Sequence, residues 1–322
     1  MPKPLKDRRL SRAVGDGGLE MLAEARQARP RVDDPEDLEG LHDFRVALRR
    51  LRSWLQAYRD YPGIKVPKPQ RRRLRDLAKA TNAARDGEVM LAWLEAELPG
   101  LPAAERGAAH WWRQRLTQGV DLAYAEARRH LEEGFPQLEE NLGRSLSTLA
   151  QARSKGPRFG EATARELEAL RATLVREVAA IASVEDREAL HRPRITGKRI
   201  RYLLRPWKDE DAVFKEAEKA MKAFQDAFGV LHDDLVRETA LQAAAAEHAG
   251  DEVEARLIQA TRGETASAAA PRHLRGFLGL ARGNRRRLLG HYEAAVGNPG
   301  GVDMAALTAR LDAVVAAMRG KG

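Results

Sequence analysis

One twelve-residue pattern occurs twice in this chain. LHDFRVALRRLR begins at Leu41, and LHRPRITGKRIR begins at Leu190. On a helix, His42, Arg45, Arg49 and Arg52 fall at i, i+3, i+7 and i+10. They share one face over roughly 15 Å, at about 1.5 Å of rise per residue. His191, Arg194, Lys198 and Arg201 make the same row, which Arg205 extends. Arg50 and Arg199 stand at matched positions beside the two rows. Like charges at neighbouring helical positions destabilise an isolated helix by about 0.2–0.5 kcal/mol per pair. A cationic row made twice therefore calls for acidic neighbours or an anionic ligand.

A second matched pair follows each row. The junction around Asp86 corresponds to that around Asp233, a step of 147 residues. His42 to His191 is a step of 149. At the step of 147, Arg72 and Arg75 correspond to Lys219 and Lys222, and Lys68 to Lys215. Lys79 faces Asp226 in this register and has no cationic counterpart. Two pairs with nearly one offset indicate a duplication. The repeats are assigned to residues 7–153 and 161–319, joined by a turn-rich linker over 154–160. Ala, Leu, Glu and Arg dominate, apolar residues recur every three or four positions, and no segment alternates like a strand. The expected fold is all-α. It consists of two antiparallel bundles of about four helices, related by a pseudo-two-fold duplication.

Local signals place the helix ends. Asp33-Asp34-Pro35-Glu36-Asp37 reads as the start of the first motif helix, which should stop near Tyr61-Pro62-Gly63. Ser183 to Asp186 reads as a capping-box variant ahead of the second, which should run toward Trp207. Pro193 conflicts with that helix, since an interior proline costs roughly 3 kcal/mol. The helix is expected either to begin near Pro193 or to kink there. Residues 241–248 read as alanine-rich helix, 263–271 as a loop, and both termini as frayed. Trp111-Trp112 reads as core or bundle edge. Arg272, Arg275, Arg282 and Arg286 have the spacing of one helical face.

Composition narrows the partners. The 322 residues include 56 Lys+Arg against 47 Asp+Glu, a formal charge of +9. That balance favours nucleic acid, a phosphate polymer or a membrane surface. The absence of cysteine removes disulfides, thiolate metal sites and cysteine nucleophiles. No signal peptide or membrane span is read, so a cytoplasmic location is expected. Arginine suits phosphate because its planar fork donates two charge-assisted hydrogen bonds. Histidine adds a donor whose charge changes near neutrality.

Three other functions compete. His42-Asp43 and His232-Asp233 suggest a metal-dependent phosphohydrolase. The duplication does not support it, because His232 aligns with Arg85 and His191 is followed by Arg192. Asp86 and Asp233 read as residues that orient cations or cap a helix rather than as catalysts. Nucleic-acid binding lacks stacking platforms, since aromatics are only 5 % and none alternates with the basic rows. A membrane-surface helix is weaker still, because the arginines do not occupy a snorkelling edge.

At these residues the chain resembles the CHAD family, the conserved histidine α-helical domain. The resemblance lies in the two motifs, in Tyr202 after the second, and in AARDGEV and VLHDDLV, and it extends over residues 7–319. It implies two helical bundles with a basic groove or pore between them. It also implies non-enzymatic binding of inorganic polyphosphate, with possible targeting to polyphosphate granules. Carried onto this chain, the binding residues are His42, Arg45, Arg49, Arg52, His191, Arg194, Lys198 and Arg201. The expected site adds the flanking cations Arg50, Arg72, Arg75, Lys79, Arg199, Arg205, Lys215, Lys219 and Lys222. No catalytic residue, metal, cofactor, specific nucleic acid or membrane partner is expected. No triphosphate-processing CYTH domain is read, because its strand-rich pattern is missing. Two departures stand out: Pro193 in place of an ordinary helix former, and Arg205 where an acid often follows.

Overall fold

The computed structural model describes residues 4–37, 39–152, 156–297 and 301–320. Its helices are α1 (Leu10–Ala28), α2 (Gly40–Tyr58), α3 (Lys68–Ala80), α4 (Asn82–Glu97), α5 (Arg106–Gln151), α6 (Phe159–Ala179), α7 (Arg187–Leu204), α8 (Ala212–Thr261), α9 (Leu274–Val296) and α10 (Met304–Arg319). Among the described residues the only β pairing is an isolated bridge between Arg9 and Arg158. The fold is all-α, as the propensities require.

Two compact units divide the chain. The first comprises Met1–Arg85, Leu122–Asp226 and Val302–Gly322, and the second Asp86–Asp121 and Ala227–Gly301. Each takes chain from both sides of residues 154–160. Residues 153–155, at the start of the expected linker, lie outside the described residues. Its other end is helix from Phe159 on.

In the first unit, α1 packs on α2, α6 on α7 and α10, and α2 on α3 and α7. Their apolar stripes close over buried aromatics. Phe159 stacks on Trp207 with centroids 5.1 Å apart, and Trp54 packs edge-on to Tyr58 at 5.0 Å. The polar tips of Trp54 and Tyr58 are satisfied, whereas the buried Trp207 Nε1–H has no hydrogen-bond partner among the described residues. Trp54 Nε1 donates to the Val14 carbonyl (3.0 Å), and the Tyr58 and Thr163 hydroxyls are 2.9 Å apart. The C-terminal end is not frayed up to Gly320. Arg319 pairs with Glu168, and Gly320 closes α10 at φ 70°.

The second unit packs α4, the first part of α5, the later part of α8, and α9 around Met90, Trp93, Leu94, Trp112, Leu241, Phe277 and Leu280. Trp112 is core, as expected, and Trp111 packs against it from a half-buried position. Residues 262–273 form the expected loop.

Two helix starts differ from the sequence expectation. Helix α2 begins at Gly40, because the aspartates ahead of it turn back on themselves. Asp34 accepts from the Glu36 amide (2.9 Å) and Asp37 from the Glu39 amide (3.1 Å). Gly40 is needed here, since a Cβ would lie 2.5 Å from the Arg31 carbonyl oxygen. Helix α7 neither begins at Pro193 nor breaks there. It runs from Arg187 to Leu204 with Pro193 inside. Its cap is Asp186, which accepts from the Ala189 amide (3.0 Å). Ser183 instead caps only the turn before it, accepting from Glu185 (3.2 Å).

Candidate functional site

Every residue of the expected cationic site belongs to the first unit. The apolar stripe of α2, with Leu41, Phe44, Leu48, Leu51 and Leu55, is buried, which turns the His42–Arg45–Arg49–Arg52 row toward its margin. On α7, Leu190, Pro193, Gly197, Ile200 and Leu204 are buried and set His191, Arg194, Lys198 and Arg201 in the same way. The burial pattern repeats closely. His42 and His191, Arg45 and Arg194, and Arg49 and Lys198 are all half-buried. Below them, Leu74 and Leu77 of α3 are buried beside exposed Arg72, Arg75 and Lys79. Phe214, Ala217, Met221 and Phe224 of α8 are buried beside exposed Lys215, Lys219 and Lys222.

The helices approach closely enough for cations of different helices to meet. Arg49 Nε on α2 donates to the Tyr202 hydroxyl on α7 (2.7 Å). A Cβ on Gly197 would lie 2.8 Å from the Phe224 ring, so α7 and α8 need the glycine at their crossing. Arg52 of α2 feels both Arg75 of α3 and Arg199 of α7. Burial lowers its proton affinity first, and these two like charges lower it further. Burial also depresses both histidines. Arg85 adds to the effect at His42, partly offset by Glu39 and Asp43, and Arg194 and Lys198 add to it at His191.

Several predicted cations are already engaged. Arg45 NH1 donates to Thr81 Oγ1 (2.8 Å) and Asn82 Oδ1 (2.9 Å), fastening α2 to the end of α3. Arg201 donates to Glu218 (2.8 Å) and Gln225 (3.1 Å). Arg50 (3.0 Å) and Arg205 (3.3 Å) share Glu24 of α1. Arg72 and Arg75 meet Asp76, and Lys222 meets Asp226. Among the described residues, Arg49, Arg52, Lys79, Arg199, Lys215 and Lys219 have no carboxylate within ion-pair distance. Sequence inspection had no access to Glu24, which lies 26 residues from Arg50 and 181 from Arg205.

The remaining candidates are either paired or members of the second unit. Asp43 is taken by Arg31 (2.7 Å), and Arg192 by Glu188. No group of three or more His, Asp or Glu side chains among the described residues is placed to hold a metal ion. Asp86, His232 and Asp233 belong to the second unit, as do Arg275, Arg282 and Arg286 on the exposed side of α9. Arg272 precedes that helix, so the four arginines do not share one helical face.

A family model, described as the CHAD domain, matches residues 19–242. The chain belongs to the CHAD family. Among solved structures, the CHAD domain from the plant Ricinus communis superposes with a TM-score of 0.68 at 22 % identity, covering 97 % of this chain and 94 % of that one. PptA from Streptomyces chartreusis gives a TM-score of 0.64 at 14 % identity, over 89 % of this chain and 98 % of its own. These likenesses support the CHAD fold and say nothing of individual residues. No curated protein matches the chain. No described helix of this CHAD protein is long and apolar enough to cross a membrane.

Proposed function

We propose that this CHAD protein binds inorganic polyphosphate without hydrolysing it, through the cationic side chains of α2, α3, α7 and the start of α8. The observation that carries this reading is the set of six cations with no carboxylate in ion-pair reach among the described residues, Arg49, Arg52, Lys79, Arg199, Lys215 and Lys219, on four elements of one unit. A folded protein normally disperses or pairs such charges, because crowding them costs free energy. A guest with one negative charge per internal phosphate, and no bases to be read, would relieve that cost. The half-buried His42 and His191 add donors near the same rows. Their cationic and apolar surroundings suit an anionic guest better than an empty site. Association with polyphosphate granules would follow from the same polymer affinity.

Affinity would arise mainly from neutralisation and counterion release, so it should fall steeply and log-linearly with salt. It should also grow with chain length, because each added phosphate engages an already tethered polymer. The deciding experiment is a titration at moderate salt with triphosphate and with polyphosphate of tens of units. The long polymer is expected to bind at least tenfold more tightly, and double-stranded DNA at equal phosphate concentration should not displace it. Equal affinity for the two phosphates, or release of orthophosphate during the titration, would overturn the proposal.

A further inference from the structure

Away from the cationic face, the second unit buries a histidine whose polar atoms are unsatisfied. His248 of α8 is 5 % exposed. Neither ring nitrogen has a hydrogen-bond partner among the described residues. Such a group costs stability and needs an explanation. Its ring packs on Trp111 of α5 (centroids 4.7 Å apart), on Phe277 of α9 (5.9 Å) and, stacked at 4.8 Å, on His273. His273 ends the connection between α8 and α9. Gly107 of α5 makes room for it, since a Cβ there would lie 2.6 Å from the imidazole.

The connection is held to α8 by a small polar network. The Arg272 amide donates to both oxygens of Glu252 (3.1 and 3.0 Å). Arg256 donates to Glu252 (3.0 Å) and to the Ala269 carbonyl. The charges facing the two rings are few. Glu252 Oε1 lies 3.6 Å from His248 Nε2, and Arg272 acts on His273. From α5, Arg115 stands over Trp111 at 5.7 Å and is neutralised by Glu247 and Asp251. Glu105 lies against Gly279 of α9. Glu252 is therefore the one carboxylate among the described residues paired with these rings, and it is already shared.

We propose that the His248–His273 stack is an acid-sensitive latch: the neutral His273 ring, stacked on the buried His248, holds the 262–273 connection in place, and protonation of His273 releases it. Glu252, the nearest carboxylate, is already engaged by Arg256 and the Arg272 amide. A proton on His273 would set a cation 4.8 Å from a buried ring that itself packs on Trp111 and Phe277, with no further carboxylate among the described residues. Burial and the neighbouring His248 depress the proton affinity of His273. The closed form thus binds fewer protons than the released one. The latch is fully shut above the ordinary histidine range, about pH 6.5, and opens as pH falls below it. With one proton linked to release, the opening equilibrium can shift by up to about tenfold per pH unit. Release would expose the face of the buried His248 ring that His273 covers.

Amide hydrogen exchange of residues 262–275 in the full chain tests this. It is read at pH 7.5 and pH 5.0, corrected for intrinsic rates and referenced to buried amides of α9. The wild type is expected to lose at least tenfold protection in acid. His273→Gln, checked for helicity by circular dichroism, should change less than twofold, and His273→Phe serves if it fails to fold. His248→Phe keeps the aromatic packing and a titratable His273, so it should retain the acid response. Unchanged protection in the wild type, or equal acid loosening in a folded His273 variant, would sink the latch.

Discussion

Arg49 of α2 points its Nε–H at the hydroxyl of Tyr202 on α7, 2.7 Å away. One charge-assisted hydrogen bond thereby joins the two motif helices and leaves the Arg49 charge unneutralised. Tyr202→Phe removes the acceptor while keeping the ring. The expected cost is about 1.5 kcal/mol of stability, the low end for a hydrogen bond to a charged group in a half-buried pair, seen as a lower urea midpoint. Affinity for long-chain polyphosphate should fall about two- to tenfold through loss of Arg49 orientation, by the same energy. Unchanged values of both would mean that the bond contributes nothing.

Glu24 acts in the opposite sense. Its carboxylate is shared by Arg50 and Arg205 and competes with any anionic guest for them. Glu24→Gln should strengthen polyphosphate binding several-fold and steepen its dependence on salt, since each freed cation adds about one counterion-linked contact. The cost in stability should stay below about 1 kcal/mol, because partly exposed ion pairs are weakly stabilising. A salt titration of the two proteins side by side checks both statements. Weaker binding by the variant would show that Glu24 positions the arginines instead of occupying them.

These two residues also mark what a sequence reveals. The rows on α2 and α7 were legible because a duplicated pattern carries register, and register on a helix fixes which side chains share a face. The helical class was legible from periodicity alone. Three kinds of information were not. The start of α2 depended on Asp34 and Asp37 spending their carboxylates on local turns. The continuity of α7 through Pro193 depended on tertiary packing around a buried proline, which outweighs local propensity. The pairing of Arg50, Arg205 and Arg201 depended on Glu24 and Glu218, carboxylates 17 to 181 residues away. Distances of that kind in sequence leave no periodic trace.

Arg52 should show opposed effects on stability and binding. It stands exposed beside Arg75 and Arg199 and has no carboxylate partner among the described residues. Arg52→Gln removes the repulsion, so thermal stability should rise slightly, by roughly 0.5 kcal/mol or less. Binding of polyphosphate should fall, with a smaller salt slope. Combining it with Arg199→Gln should give a larger loss of affinity but little further gain in stability, because the two changes relieve the same contact. Thermal melts in parallel with titrations distinguish this outcome from simple loss of fold, which would lower both quantities.

The paired histidines make a prediction with a definite sign. Burial and neighbouring cations depress the proton affinity of His42 and His191 in the folded protein. Their contribution to stability is therefore complete above the ordinary histidine range, about pH 6.5, and is lost as pH falls through it. An anionic polymer against the same rings reverses the electrostatic part of that penalty. Binding should then take up protons, and affinity at fixed salt should rise between pH 7.5 and 5.5 by up to about tenfold per unit for each histidine involved. Calorimetry in two buffers of different ionisation heat would register the uptake directly. His42→Gln/His191→Gln should bind with little change across the same interval, while the single variants keep part of the slope. If the double variant retained the whole pH dependence, the protons would have to reside on the polymer ends, and these histidines would lie outside the contact.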